Sequence, residues 1–558
     1  MSHRRLVASA TILAAGISLI PGLAHAADPA PAPGKGHGLA APDVEQDLAE
    51  ARGSTSFASP ADRTEPAARK AKAAGSAQAQ AADPDYKVGL KAETTSAHGI
   101  ALTSEVTAGS NQSLDVVIDW GDQGGLEGYN TSGSDVRTTQ HTYAEVGTFV
   151  ITVNVADAVT GTSVKNTVTV TTDGSEFTPY NPTRLLDTRD GTGAPQAAKV
   201  APYGSARVKV GGYGKIPAGV TAVALNVTVT NTRSGGHVTA FASGTDRPTT
   251  SNLNYEPGQT VPNLVIVPVG PDGYVELYNG GWEPVDLIAD ITGYFTRSAA
   301  SGYTAIDPTR HVDTRTGLGA RKGQLAGYGT FSATIVGAGY VPTGATAVAL
   351  NVTVTNPKDA GHLTVYPSGK AAPTASNLNF SGGQTIANSV IVPIGADGKI
   401  KIRNGSWKGT DVIIDVVGYY SPTSQAAYVP FQPFRRIDTR DPNSWKYGPL
   451  QGRWYIYMKL STAYPSVKAF VMNTTVTNPK DTGFLAVAPD PNSKEAYDGG
   501  WASAPGSPRS STLNFTPGKT VPNLVQASTG NYGIVDVFNE SDRNIDVVVD
   551  VFGLYDDF

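Results

Sequence analysis

One triplet, Asp-Thr-Arg, appears at Asp187-Thr188-Arg189, returns at Asp313-Thr314-Arg315 and again at Asp438-Thr439-Arg440, at steps of 126 and then 125 residues. Other segments keep the same phase. Asn226-Val227-Thr228-Val229-Thr230-Asn231 recurs as Asn351 to Asn356 and as Asn473-Thr474-Thr475-Val476-Thr477-Asn478. Leu253-Asn254-Tyr255 corresponds to Leu378-Asn379-Phe380 and Leu513-Asn514-Phe515, and each unit closes on Gly293-Tyr294, Gly418-Tyr419 or Gly553-Leu554. A period this long, filled with strand patterns, implies whole tandem domains rather than solenoid turns.

Within the first unit, Val223, Leu225, Val227 and Val229 alternate with Ala224, Asn226 and Thr228. That period of two sets one strand face towards a core and the other towards something polar. Pro271-Asp272-Gly273 and Ala396-Asp397-Gly398 are hairpin turns. About eight short strands per unit, without helical periodicity, predict a β-sandwich or jelly roll. An earlier block alternates too: Leu114, Val116 and Ile118 share one face, and Ile151, Val153 and Val155 share another.

The chain ahead of these blocks differs in composition. Arg4 and Arg5 precede a small, apolar run from Leu6 to Leu23, and Ala24-His25-Ala26 forms a cleavage site, which predicts a secretory signal peptide. Gly16, Pro21 and Gly22 interrupt the run, which disfavours a spanning helix. From Ala27 to Pro84 the chain is rich in Ala, Pro, Gly and charge, and is expected to be a disordered linker. The expected organisation is a signal peptide (1–26), linker (27–84), a first β-sandwich (85–172) and three β-repeats (177–297, 301–422 and 427–558). The fold class is therefore all-β: one immunoglobulin-like sandwich plus three tandem sandwich or jelly-roll domains.

With 43 Lys+Arg against 48 Asp+Glu there is no basic footprint, so nucleic acid is not expected as a partner. The absence of Cys removes disulfides and thiolate metal sites. No later stretch is long and apolar enough to span a bilayer, so the mature protein is expected to be extracellular, soluble or attached to a surface by binding.

Two resemblances rest on these motifs. Asp119-Trp120-Gly121-Asp122, then His141-Thr142-Tyr143, then Gly147-Thr148-Phe149 before a final strand resembles a PKD domain, which implies an immunoglobulin-like sandwich. Gln123 stands where such domains usually place Gly, and the loop from Gly124 to Val136 is long for them. The three later units resemble the Leu-Asp-Thr-Arg repeats of secreted actinobacterial proteins. That resemblance implies an extracellular accessory role rather than a reaction.

Four groups of residues carry candidate chemistry. Arg184, Asp187 and Arg189, with their counterparts, form either a carboxylate or sugar clamp or an internal brace to Asp286 or Asp290; repetition in every unit favours the brace. Asn226, Asn351 and Asn473 sit mid-strand, where Asn is disfavoured, and are expected to satisfy buried backbone groups rather than a ligand. Asp115, Asp119 and Asp122 are too few for a Ca²⁺ site and are expected to serve the turn, so no metal or cofactor is assigned. Trp282 and Trp407 follow Asn-Gly turns at Asn279 and Asn404, which places them at hairpin tips. There a tryptophan is either a platform for sugar rings or an inter-domain contact. Asn279, Trp282, Asn404 and Trp407 are the candidate ligand-binding residues; the third unit, with Asn539-Glu540-Ser541-Asp542, lacks the tryptophan.

No catalytic residue is assigned. Gly-x-Ser-x-Gly, His-Glu-x-x-His, a phosphate loop and a cysteine nucleophile are all missing from the sequence. His237 and His362 occupy the position of Phe484, which favours packing over base catalysis. The expectation is a secreted, non-catalytic binding or scaffold protein with polysaccharide, cell wall or protein as partner. The alternatives are a structural surface protein, whose tip aromatics would be buried between domains, and a hydrolase with an unrecognised carboxylate site.

Overall fold

The structure, a computed structural model, describes residues 54–67, 85–337, 340–444 and 447–557 and the backbone of strand Gly38–Ala40. It is built of sheets whose strands, one short parallel pairing apart, run antiparallel, in keeping with the period-two patterns. The first sandwich pairs a sheet ordered Ser56–Ser59, Lys87–Thr94, Gly99–Thr107, Asp135–Thr142 with one ordered Glu65–Pro66, Ser163–Thr171, Thr148–Asp157, Ser113–Asp119, Glu127–Ser132. Trp120, Tyr86 and Tyr143 are buried between them with Leu114, Val116 and Ile118.

This corrects one boundary. Residues 54–67, expected to be linker, belong to the sandwich: Phe57 pairs with Ala92, Glu65 with Lys165, and buried Ser59 donates to Asn166 Oδ1 at 2.8 Å. Gly38–Ala40, also expected to be linker, pairs in parallel with Tyr455–Lys459 of the third repeat. Such edge strands are held by main-chain hydrogen bonds and need little apolar sequence, so a compositional reading misses them. The signal peptide and the rest of the linker lie outside the described residues.

Each repeat is a rolled-up nest of hairpins. In the first, one sheet runs Glu176–Asp187, Asp286–Thr296, Val220–Thr230, Val261–Pro268, and the other Ser205–Lys209, Tyr274–Asn279, Gly236–Ala242, Leu253–Tyr255. Numbering these strands in chain order, the sheets read 1-8-3-6 and 2-7-4-5, the jelly-roll arrangement, and the other two repeats share it. Val223, Leu225, Val227 and Val229 point into the sandwich.

The opposite face, expected to be polar, is buried as well, because the three 1-8-3-6 sheets face one another around a common axis. Two layers close the ring. In the aromatic layer, Phe177 of the first repeat meets Tyr420 of the second at 4.2 Å between ring centroids, Tyr303 of the second meets Tyr555 of the third at 4.3 Å, and Tyr428 of the third meets Phe295 of the first at 4.8 Å. The glycine of the closing Gly-Tyr or Gly-Leu pair makes room for these rings: a Cβ on Gly293 would stand 2.0 Å from Phe177 Cζ, and one on Gly418 2.1 Å from the Tyr303 hydroxyl.

The polar layer uses the mid-strand asparagines. Asn226 Nδ2 donates to Ser376 O of the second repeat (2.7 Å), Asn351 Nδ2 to Ser511 O of the third (2.5 Å), and Asn473 Nδ2 to Ser251 O of the first (2.8 Å). Their Oδ1 atoms accept from Asn388 (3.2 Å), Asn523 (3.0 Å) and Asn263 (3.0 Å) respectively. Each asparagine satisfies buried backbone, as its mid-strand position suggests, but the backbone belongs to the next repeat. A buried amide that is fully paired fixes relative position, because any slip leaves it unsatisfied.

The first sandwich abuts the aromatic end of the ring. Ser175 and Tyr428 exchange main-chain hydrogen bonds, and the buried His98 side chain meets Gln425 O at 3.1 Å. Among the described residues, no helix is long and apolar enough to cross a membrane.

Candidate functional site

The Asp-Thr-Arg element is a brace in all three repeats. In the first, Asp187 accepts from Arg189 N (3.1 Å) and Arg189 Nε (2.8 Å), while Arg184 bridges Asp187 (2.9 Å) and Asp290 (3.0 Å) of the closing strand. Thr188 Oγ1 donates to Asp286 (2.9 Å), which also accepts from Asn231, a residue held at φ 55° at the strand end. The Arg189 hydrogen bond holds the Asp187 carboxyl below its ordinary range, whereas burial raises that of Asp290. Every carboxylate oxygen of the brace faces a partner within its own repeat, the arrangement of an internal brace.

In the first sandwich, Asp119 and Asp122 accept from Gly121 N and Gly124 N at 2.9 Å each, and Asp122 also meets His141 Nε2 at 2.8 Å. These are turn contacts. Among the described residues no cluster of three or more His, Cys, Asp or Glu is arranged to hold a metal ion.

The hairpin tips present a different surface. Trp282 is 76% exposed and Trp407 78% exposed, so neither is an inter-domain contact. Each stands beside an exposed tyrosine from the neighbouring turn: Tyr203 meets Trp282 edge-on at 5.6 Å, and Tyr328 meets Trp407 at 5.1 Å. Tyr203 and Tyr328 adopt φ of 58° and 55°, held there by main-chain bonds such as Tyr203 N to Asn279 O (2.9 Å). The pairs thus stand on fixed backbone. The tyrosines escaped the sequence reading, although Tyr203-Gly204 and Tyr328-Gly329 recur in phase at repeat spacing, which marks them.

Asn279 and Asn404, expected to bind ligand, are corrected. Both are fully buried. Asn279 Nδ2 donates to Val200 O, Ala201 O and Glu283 O at 3.0–3.3 Å, and its Oδ1 accepts from Tyr255 and Gly281; Asn404 repeats the pattern on Leu325, Ala326 and Lys408. The amide is spent on shaping the tip. It positions the tryptophan and has no free donor or acceptor for a ligand.

The third repeat keeps this shaping amide, Asn539, and replaces the pair. Arg453, again left-handed at φ 64°, stands in place of the tyrosine and Asp542 in place of the tryptophan, joined at 2.9 Å, with Glu540 at 2.8 Å. At the axial end opposite the aromatic layer, all three repeats line an open depression of 630 Å³ with Gln259, Gln384, Lys519 and neighbouring threonines. The Trp407 tip borders it, since Ser406 Oγ donates to Ala360 O on its rim (2.9 Å).

The fold and these surfaces define an all-β protein with a closed ring of three jelly rolls and, among the described residues, two solvent-facing aromatic pairs. No family model and no curated protein matches the chain. Among solved structures, a SusE-like protein is similar at 11% identity and a TM-score of 0.12, covering 37% of this chain and 96% of that one. A structure from work on the promiscuous specificity of carbohydrate-binding modules of the β-sandwich superfamily is similar at 11% identity and a TM-score of 0.14, covering 36% and 88%. Likenesses this distant carry no argument about what the chain does.

Proposed function

We propose that this is a secreted, non-catalytic glycan-binding protein: a PKD-like module followed by three Leu-Asp-Thr-Arg type repeats, in which Tyr203–Trp282 and Tyr328–Trp407 stack on sugar rings of cell-wall or environmental polysaccharide. The observation that carries the reading is the exposure of two aromatic pairs at equivalent tips, each held on fixed backbone. Leaving such rings in water forgoes burial of a large apolar side chain, and a flat amphipathic surface is what the C–H face of a sugar stacks upon. Secretion rests on the charged, apolar and small-residue sequence of the first residues. The test is retention of the protein on insoluble polysaccharides and purified cell walls, beside the Trp282→Ala plus Trp407→Ala variant. Retention lost in the variant supports the reading, and retention unchanged removes the tip sites.

A second reading, a structural surface protein acting through packing, draws on the closure of the repeats through the buried axis, but its expectation of tip aromatics buried between domains is not met, since Trp282 and Trp407 are exposed. Failure of the unaltered protein to be retained on any matrix would favour it, with the aromatic pairs then serving a protein partner.

A further inference from the structure

The third repeat carries an insertion, residues 490–510, that covers the outer face of its 2-7-4-5 sheet and includes the short helix Lys494–Asp498. Beneath it, Asp536 stands mid-strand on Ile534–Glu540, opposite Tyr457. The equivalent residue of the first repeat, Glu276, is a partly exposed carboxylate paired with the cross-strand Arg207 at 3.1 Å. In the third repeat the cross-strand arginine has become a tyrosine. Asp536 is fully buried, and neither carboxyl oxygen has a hydrogen-bond donor. What it meets instead is a second buried carboxyl, Asp490, within hydrogen-bonding reach.

Asp490 ties the insertion down. Its Oδ1 accepts from Asn492 N (2.6 Å) and Asn492 Nδ2 (2.8 Å), and its Oδ2 from the hydroxyl of Tyr497 on the helix. Tyr497 in turn stacks on Tyr457 at 3.9 Å, and Asn492 Oδ1 accepts from Ser503 N at 3.0 Å. The titratable groups facing the pair are Tyr455 and Tyr457 from the neighbouring strand and Tyr497 from the helix; Asp498 lies further out. The nearby cations, Lys459 and Lys494, pair with Asp498 at 3.0 and 2.8 Å. Gly38–Ala40, on the far side of that strand, contains no titratable side chain.

Two carboxylates cannot both ionise in such contact without a counter-charge, since burial and like charge each disfavour the anion. A single proton between them resolves both, giving Asp536 a hydrogen bond while Asp490 keeps its acceptor role. We propose that Asp490 and Asp536 form a proton-binding site, sharing one proton that latches the 490–510 insertion onto the sheet. The latch holds while the proton stays and loosens when Asp536 ionises.

Burial, then the Asp490 carboxyl, hold the Asp536 carboxyl well above the ordinary carboxylate range. The fold therefore favours the neutral form. Its contribution to stability is complete below the ordinary carboxylate range and is lost as pH rises towards the raised folded value. The direct test is infrared spectroscopy of the full chain at neutral pH. A protonated-carboxyl C=O band present in the unaltered protein and lost in Asp536→Asn is expected; its absence from the unaltered protein overturns the proposal. The second measurement is the melting temperature of the protein, Asp536→Asn and Asp490→Asn from about pH 5 to about pH 9. The unaltered protein is expected to lose stability relative to Asp536→Asn as pH rises. Parallel curves, or a melting temperature that falls on chelation and returns with Ca²⁺ in the unaltered protein alone, would replace the proton with no site or with a cation.

Discussion

At the axis, the third repeat supplies Asn473, Asn523 and Tyr555 where the first supplies Asn226, Asn263 and Phe295. At the outer tip it supplies Arg453 and Asp542 where the first supplies Tyr203 and Trp282. The two ends of one domain thus keep different rules. A side chain at the axis must satisfy a neighbour made by another copy of the same motif, so a change in one repeat breaks a contact in the next. A side chain at the tip answers only to solvent and to whatever binds there. An aromatic pair and an ion pair are interchangeable in that setting as far as folding is concerned, because an exposed ion pair contributes little.

Substitutions that set one end against the other test this division. The largest loss is expected for Tyr420→Ala, which empties a buried ring position shared by three repeats: about 3–5 kcal/mol of unfolding free energy, read by denaturant titration. Asp415→Ala, which strips Arg310 of its buried partner at 2.7 Å, comes next at about 3 kcal/mol. Asn351→Ala leaves Ser511 O and Asn523 Nδ2 short of partners and is expected to cost about 1–3 kcal/mol. Equal effects for the three asparagines would sharpen the picture of a closed ring, whereas a small effect at one of them would open it there.

Acid is expected to act on the brace rather than on the tips. With Asp187 held below its ordinary range by Arg189, its contribution is present above the ordinary carboxylate range and is lost as pH falls through the lowered value. Asp187→Asn should therefore flatten the acid limb of the melting curve. The smallest effect on stability belongs to Trp407→Ala, within about 0.5 kcal/mol, with polysaccharide retention as the sensitive readout. The reverse graft, Arg453→Tyr with Asp542→Trp, is expected to leave stability as it was and to raise retention by adding a third platform.

The sequence carries much of this arrangement. The all-β class, eight strands per repeat and the brace from Asp187 to the closing strand are legible because strand periodicity and recurring charge are local patterns. So is the tip position of Trp282, which an Asn-Gly turn marks. The Asn279 side chain was not legible as buried: a turn asparagine has the same letter whether it faces a ligand or the backbone beneath it, and only the returning strand decides. Strand Ser56–Ser59 was hidden because its stabilisation is main-chain pairing.

By itself, then, the sequence determined the strands of the repeats, how often they recur and which of their faces turns into each sandwich, since each of these is written within a few residues of itself. The tertiary structure alone decided that the second face of each strand Val220–Thr230, Ala347–Thr355 and Val467–Thr477 is buried against another repeat, that Asn226 reaches Ser376, and that Asp490 lies on Asp536. The last two contacts join residues 150 and 46 positions apart in the chain, brought together by ring closure and by an insertion folding back, and no local pattern records them.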